Sequence, residues 1–178
     1  MLRFALEEDL PFLKWMLYEA CYPEKGPRPP FEKGISDPKV WVYLDGWMRK
    51  GDAGLIVTSP AGGPQGAAWY RLFTPDAAGY GFYDAETPEL AVALVYEARG
   101  KGIGTQLTQA LMTLARKQGH RRISLGVDRF NPDAERLYRR LGFKEFDRDD
   151  DGVKMVADLT EPPAGSSSAP SPPASGTS

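Results

Sequence analysis

A chain of 178 residues holds one domain with a proper core and leaves little room for a second. Its 22 lysines and arginines against 24 acidic residues give a formal charge of 22 − 24 = −2, without the basic surplus that marks a nucleic-acid binder. Cys21 stands alone and His120 is the only histidine, so an intrachain disulfide and the usual Cys/His zinc spacings are excluded.

The opening Met1 to Asp9 is too short and too acidic for a secretory signal, and no apolar run approaches membrane-spanning length. A soluble cytoplasmic protein is expected. Leu2 to Ala5 is predicted as a first strand; Asp9-Leu10-Pro11 then opens a helix with Leu13, Met16, Leu17 and Ala20 at helical spacing, ending near Tyr22-Pro23. Gly26 to Pro30 is loop. Ser36-Asp37-Pro38 predicts a second helix, capped by a side chain and carrying Trp41, Leu44 and Met48 on one face.

Gly54 to Thr58 and Gly66 to Phe73 are predicted strands of a hairpin around a loop rich in proline and glycine. Leu90 to Val95 is an unbroken apolar run, the pattern of a strand covered on both faces and central in its sheet. Gly102 opens a helix with Ile103, Leu107, Ala110, Leu111 and Leu114 on one side, Gly119 closes it, and Ile123 to Val127 gives the next strand. Asn131-Pro132-Asp133 starts another helix with cap, proline and first-turn acid in order, and Gly142 stops it. Strands at Phe143 to Phe146 and Val153 to Leu159 complete an α/β domain over residues 1–159. From Thr160 onward proline, serine and glycine dominate with nothing large to bury, the composition of a disordered tail over 160–178.

Chemistry concentrates at Arg99-Gly100-Lys101-Gly102-Ile103-Gly104, where an apolar strand hands over to a helix. Backbone N–H groups converge there at the positive end of a helix dipole, the makings of a phosphate site, while a plain tight turn accounts for the same glycines equally well. A nucleoside-triphosphate loop needs a lysine that Gly104-Thr105-Gln106 does not supply. A dinucleotide fingerprint has its acid in Asp128 but meets Thr105 where its third glycine belongs, so a nicotinamide oxidoreductase stands only as a distant alternative.

The turn is followed by Asn131-Pro132-Asp133-Ala134-Glu135-Arg136-Leu137-Tyr138-Arg139-Arg140-Leu141-Gly142-Phe143. In order and spacing the two together resemble the GCN5-related N-acetyltransferase (GNAT) family, over roughly Glu89 to Phe143. The resemblance implies a GNAT-like mixed, mostly antiparallel sheet with helices on both faces, and acetyl-CoA as cosubstrate with no metal. It implies that Arg99, Gly100, Lys101, Gly102, Ile103 and Gly104 meet the cofactor pyrophosphate. Leu94, Val95 and Tyr96 would pair with the pantetheine arm as an added strand would, and Asn131 would touch that arm. Tyr138 would stand near the thioester sulfur as the acid for the departing thiolate; a core aromatic and a plain N-cap are the alternatives for Tyr138 and Asn131.

An alkylamine with a pKa of about 10 must lose a proton before it attacks a thioester. Glu89 is the carboxylate at the entrance of the central strand, and it reads either as that base or as a solvated acid. Relatives that acetylate protein amino termini carry a glutamate five residues before the motif asparagine, where this chain has Gly126, a departure that argues against that substrate class and leaves the base open. Trp15, Tyr18, Tyr22, Phe31, Trp41, Tyr43 and Trp47 are core for the most part, with an acceptor pocket expected among them, and Asp84 and Glu86 are candidates for drawing in a cationic amine. An acyl-enzyme on Cys21 has no base to support it. Asp147 to Gly152 imitates part of a calcium loop, but its strand-like flanks predict a hairpin tip. The expected partner is a small-molecule or peptide amine, with neither nucleic acid nor membrane; a homodimer is compatible, and an acyl-CoA-binding module without catalysis is the main competing reading.

Overall fold

In the computed structural model, residues 1–160 are described; apart from Thr160, the tail expected from 160 onward lies outside them. The chain runs β1 (Leu2–Phe4), α1 (Leu10–Cys21), α2 (Phe31–Ile35), α3 (Pro38–Trp41), β2 (Ala53–Thr58), β3 (Pro64–Arg71), β4 (Glu89–Leu94), α4 (Ile103–Lys117), β5 (Arg122–Asp128), α5 (Pro132–Arg140), β6 (Lys144–Arg148) and β7 (Gly152–Asp158). The seven strands form one sheet in the order β1-β2-β3-β4-β5-β7-β6. Every neighbouring pair is antiparallel except β4 and β5. The apolar run thus takes the central place, and the Asp147–Gly152 segment is the tip of the β6–β7 hairpin.

Strand alternation sorts the side chains onto two faces. Ala68, Tyr70, Leu90, Ile123, Leu125 and Val127 join Leu107, Leu111 and Ala115 of α4 and Tyr138 of α5 on one face. Ala67, Trp69, Ala91 and Ala93 join Leu13, Met16 and Leu17 of α1 on the other. Helices cover both faces, so the central strands are buried twice over and read as continuous apolar runs.

The second helix is shorter than its pattern predicts. Asp37 does cap it, accepting from Lys39 N at 2.9 Å, but α3 ends at Trp41 and the chain continues through turns. Met48 takes φ 75° and is half exposed, so it shares no face with Leu44. The reason is tertiary. Arg71, fully buried on β3, donates to the carbonyls of Val42 (2.8 Å) and Asp45 (2.9 Å) and pairs with Asp52 at 2.5 Å. Carbonyls spent on a guanidinium are drawn away from a helical ladder, and the segment is pinned to the sheet instead.

The parallel pair β4–β5 touches at a single register position, Glu89 opposite Ser124. Beyond it the strands part toward their carboxyl ends, the usual place for a ligand crevice in a sheet with parallel strands.

Candidate active site

A cleft of about 700 Å³ fills the split between β4 and β5. Pro88 O accepts from Ser124 N at 2.9 Å, whereas Val95 N–H turns to Gln65 O on β3. Backbone groups alternate sides along a strand, so Leu90, Val92 and Leu94 direct theirs toward the split. Val95 commits its N–H to the sheet, and Tyr96 lies exposed in the following turn. Any strand-like ligand laid along β4 therefore meets Val92 and Leu94 first.

At the mouth, Gly100 and Gly102 adopt φ 71° and 77°, and a Cβ at either would touch nothing within 4 Å. Their glycines are required by backbone conformation rather than by crowding. Gly102 caps α4, whose first backbone bond runs from Gln106 N to Gly102 O. The N–H groups of Ile103, Gly104 and Thr105 precede that bond, have no partner within the helix and sit at its positive end. Arg99, Gly100, Gly102 and Gly104 line the cleft; Lys101 and the Ile103 side chain do not. Arg99 pairs with Glu19 at 2.7 Å and donates from Nε to Leu94 O at 3.2 Å. Glu19 also takes Arg28 at 2.6 Å. Burial pushes the Glu19 carboxyl up, but the two guanidiniums outweigh it and hold it below its ordinary value.

Deeper in, Glu89 is 2% exposed yet lines the cleft. Its Oε1 accepts from the Tyr43 hydroxyl and from Gly81 N at 2.9 Å. Burial pushes its carboxyl up to about 7 against the opposing pull of those two donors, so it exchanges a proton near neutrality. Tyr43 in turn accepts from Tyr80 N at 2.8 Å, and burial, with the carboxylate beside it, raises its phenol far above the usual range. The partners of Glu89 come from residues 43 and 81, and no sequence motif announces either. The glycines of Gly79-Tyr80-Gly81 are the nearest to a signal. A Cβ at Gly79 would lie 2.3 Å from Glu89 Oε2, and one at Gly81 would lie 2.3 Å from the Leu125 carbonyl carbon.

The same segment accounts for Gly126. A Cβ there would lie 2.3 Å from Cδ1 of Tyr80. The tyrosine ring covers the point from which a side chain at 126 would enter the cleft, and its hydroxyl donates to Asp149 at 2.7 Å.

Asn131 and Tyr138 both line the cleft. Asn131 caps α5, accepting from Ala134 N at 3.2 Å, and its amide N–H₂ keeps its donors. Tyr138 stands edge-on to Phe143, ring centroids 5.6 Å apart, and burial pushes its phenol up to about 12, which keeps it protonated. Cys21 is in the cleft wall, and burial first, then nearby carboxylates, push its thiol up to about 12, so it is a poor nucleophile. Of the seven early aromatics only Tyr43 reaches the cleft. Asp84 accepts from Glu86 N in its own turn, and neither acid lines the cleft. No metal-binding group of three or more His, Cys, Asp or Glu occurs among the described residues, and none of their helices is long and apolar enough to cross a membrane.

A split parallel pair, a glycine turn feeding a helix and a buried carboxylate thus meet in one cleft of a mixed α/β sheet. The Acetyltransferase (GNAT) family model matches residues 16–143, and the chain belongs to that family. It is 34% identical over 103 residues to an L-methionine sulfoximine/L-methionine sulfone acetyltransferase of Pseudomonas paraeruginosa, a match covering 58% of this chain and 57% of that relative. The chain thus spans little more than half the length of that relative. A ribosomal-protein-alanine N-acetyltransferase from Brucella melitensis superposes with TM-score 0.64 at 26% identity, over 89% of this chain and 99% of that one. A phosphinothricin acetyltransferase from Sinorhizobium meliloti, solved in complex with AcCoA, superposes with TM-score 0.63 at 21% identity, over 93% and 94%.

Proposed function

We propose that this protein is an acetyl-CoA-dependent N-acetyltransferase acting on a small-molecule or peptide amine in the cytoplasm, by direct attack of the amine on the thioester. The observation that carries the reading is the union, in one cleft, of a free helix N-terminus beside Gly100 and Gly102 with a buried carboxylate that titrates near neutrality.

The residues fit the cosubstrate. The amides of Ile103, Gly104 and Thr105 would hold a diphosphate, with the Arg99 guanidinium beside them. Val92 and Leu94 would bond the amides of the pantetheine arm, and Asn131 has donors left for it. The thioester supplies an activated acetyl group when bound. Glu89 takes a proton from the ammonium form of the acceptor, leaving R–NH₂ and a carboxylic acid. As the C–N bond forms and the C–S bond breaks, Tyr138 donates its phenolic proton to the thiolate and is restored by the proton the new amide nitrogen releases. Placement of both reactants in one cleft supplies the remaining advantage through orientation.

The names of the relatives point to amino-acid-like and peptide amines, and the near-neutral charge favours these over a nucleic acid. Thermal shift with CoA, acetyl-CoA and NAD tests the cofactor, because a ligand bound only by the folded state raises its apparent stability. Stabilisation by both CoA forms and not by NAD is expected; the absence of any CoA effect would sink the reading. A panel of amines, beginning with methionine sulfoximine, methionine sulfone and alanine-initiated peptides, should then release free thiol. Binding of acetyl-CoA with no thiol release from any amine would leave a module that binds acyl-CoA without catalysis.

A further inference from the structure

Two buried side-chain atoms have no hydrogen-bond partner among the described residues: Glu89 Oε2 and Ser124 Oγ. They belong to the one residue pair that joins β4 to β5. On β5, Ile123, Leu125 and Val127 point into the core beneath α4 and α5. Ser124 therefore points to the opposite face, and on β4 so does Glu89, which shares its parity with Ala91 and Ala93. Side by side in register and on the same face, a carboxylate oxygen and a hydroxyl lie buried and unspent where the strands begin to part. Buried polar atoms of this kind are rare and call for a physical account.

The two oxygens of Glu89 are unequal. Oε1 already accepts from the Tyr43 hydroxyl and Gly81 N–H, so its lone pairs are engaged. Oε2 carries no donor and is the oxygen with room for a proton. Resting on the reading of Glu89 as the base, we propose that Ser124 is a positioning residue for it: its hydroxyl pairs with Oε2, by rotation about Cα–Cβ or across one shared water. It donates to the carboxylate before the amine gives up its proton and accepts from Oε2–H afterwards. A hydroxyl serves both states because it is donor and acceptor at once. An N–H donor would serve only the ionised state, and an alanine neither.

The other groups around Glu89 hold their protonation across the range that matters. Tyr43, from the turn after α3, is held protonated by burial, and so is Cys21 at the end of α1. Lys154 on β7 is a cation kept charged by its bond to Asp147; beyond these three, Asp128 at the end of β5 lines the same cleft. The proton gained near neutrality thus belongs to Glu89.

Removal of the Ser124 hydroxyl costs the ionised form most, since bonds to charge are the stronger. Ser124→Ala should therefore raise the titration midpoint of Glu89 by roughly one pH unit. The full chain, labelled with ¹³C at the glutamate side-chain carboxyl, reads this directly by NMR, the Glu89 signal being the one missing from Glu89→Gln. No acceptor amine is needed. Ser124→Thr keeps the hydroxyl on a β-branched stem suited to a strand and should return the midpoint close to that of the parent. An unmoved midpoint in Ser124→Ala overturns the proposal, as does a midpoint in Ser124→Thr displaced as far as in alanine. Should the alanine variant fail to fold, Ser124→Val, which matches threonine in shape without the hydroxyl, should show the raised midpoint in its place, and a valine midpoint equal to that of threonine overturns the proposal. Failure of the base reading looks different: Glu89→Gln would then acetylate an accepted amine at the parent rate at pH 7, whatever Ser124 does to the titration.

Discussion

The two ends of the cleft are built from different materials. At the mouth, Gly100, Gly102 and the first amides of α4 offer backbone, exposed and consecutive along the chain. At the floor, Glu89, Tyr43, Gly81, Tyr80 and Gly126 offer buried contacts gathered from residues as much as 83 positions apart in sequence, as 126 − 43 shows. A site that recognises a phosphate can be a local motif, because backbone N–H groups are always available. A site that shifts a carboxyl to about 7 must exclude water, and that takes several elements closing from different directions.

The sharpest way to break this comparison is Glu89→Gln. With the proposed base removed, turnover at pH 7 should fall by about 10² to 10³, with partial recovery at high pH as the amine deprotonates unaided, measured as CoA release. The same variant separates activity from stability. Glu89 is raised in the folded state, from 4.5 to about 7. The native protein therefore holds a proton that the unfolded chain loses, and the stability this confers is present at low pH and lost as pH rises from about 4.5 to about 7. Denaturant unfolding should show Glu89→Gln more stable than the parent at pH 8, by at most about 3 kcal/mol, and similar to it at pH 4. Equal stabilities at both would mean that the carboxyl is not desolvated.

Tyr138→Phe should lower kcat by roughly tenfold to a hundredfold and leave the acetyl-CoA affinity near that of the parent, since it removes only the proposed proton donor. At the mouth the effects should be smaller. Gly102→Ala forces a side chain into φ 77° and should cost about 1 kcal/mol of stability, read by denaturant unfolding, with weaker CoA binding and little change in kcat. Smallest of all, Glu19→Gln should alter the affinity for acetyl-CoA only a few-fold, because its partner Arg99 is partly exposed and solvent screens the pair. A large kcat effect from either of these two, with CoA affinity unchanged, would erase the distinction between mouth and floor.

Much of the fold was legible in residue order. The caps at Asp37 and Asn131, the apolar run of β4 and the glycines closing α4 and α5 are local signals, and the elements stand close to where those signals put them. The second helix fell short of its pattern because Arg71, some thirty residues downstream, takes the carbonyls of Val42 and Asp45. Among the candidates for the site, the structure brings Leu94, Arg99, Gly102, Asn131, Tyr138 and Glu89 to one cleft, while Val95 and Tyr96 turn away from it. Tyr43 was visible as one aromatic among seven, and nothing near it in the chain pairs it with Glu89.

By itself, the sequence determined the glycine turn at Arg99 to Gly104 and the helix that follows, since both depend on backbone angles and caps that neighbouring residues set. Only the tertiary structure decided that Glu89 is buried, that Tyr43 and Gly81 occupy one of its oxygens, that Ser124 stands beside it and that Tyr80 covers Gly126. Desolvation and long-range hydrogen bonds create those properties, and both arise only when distant segments close around the same few atoms.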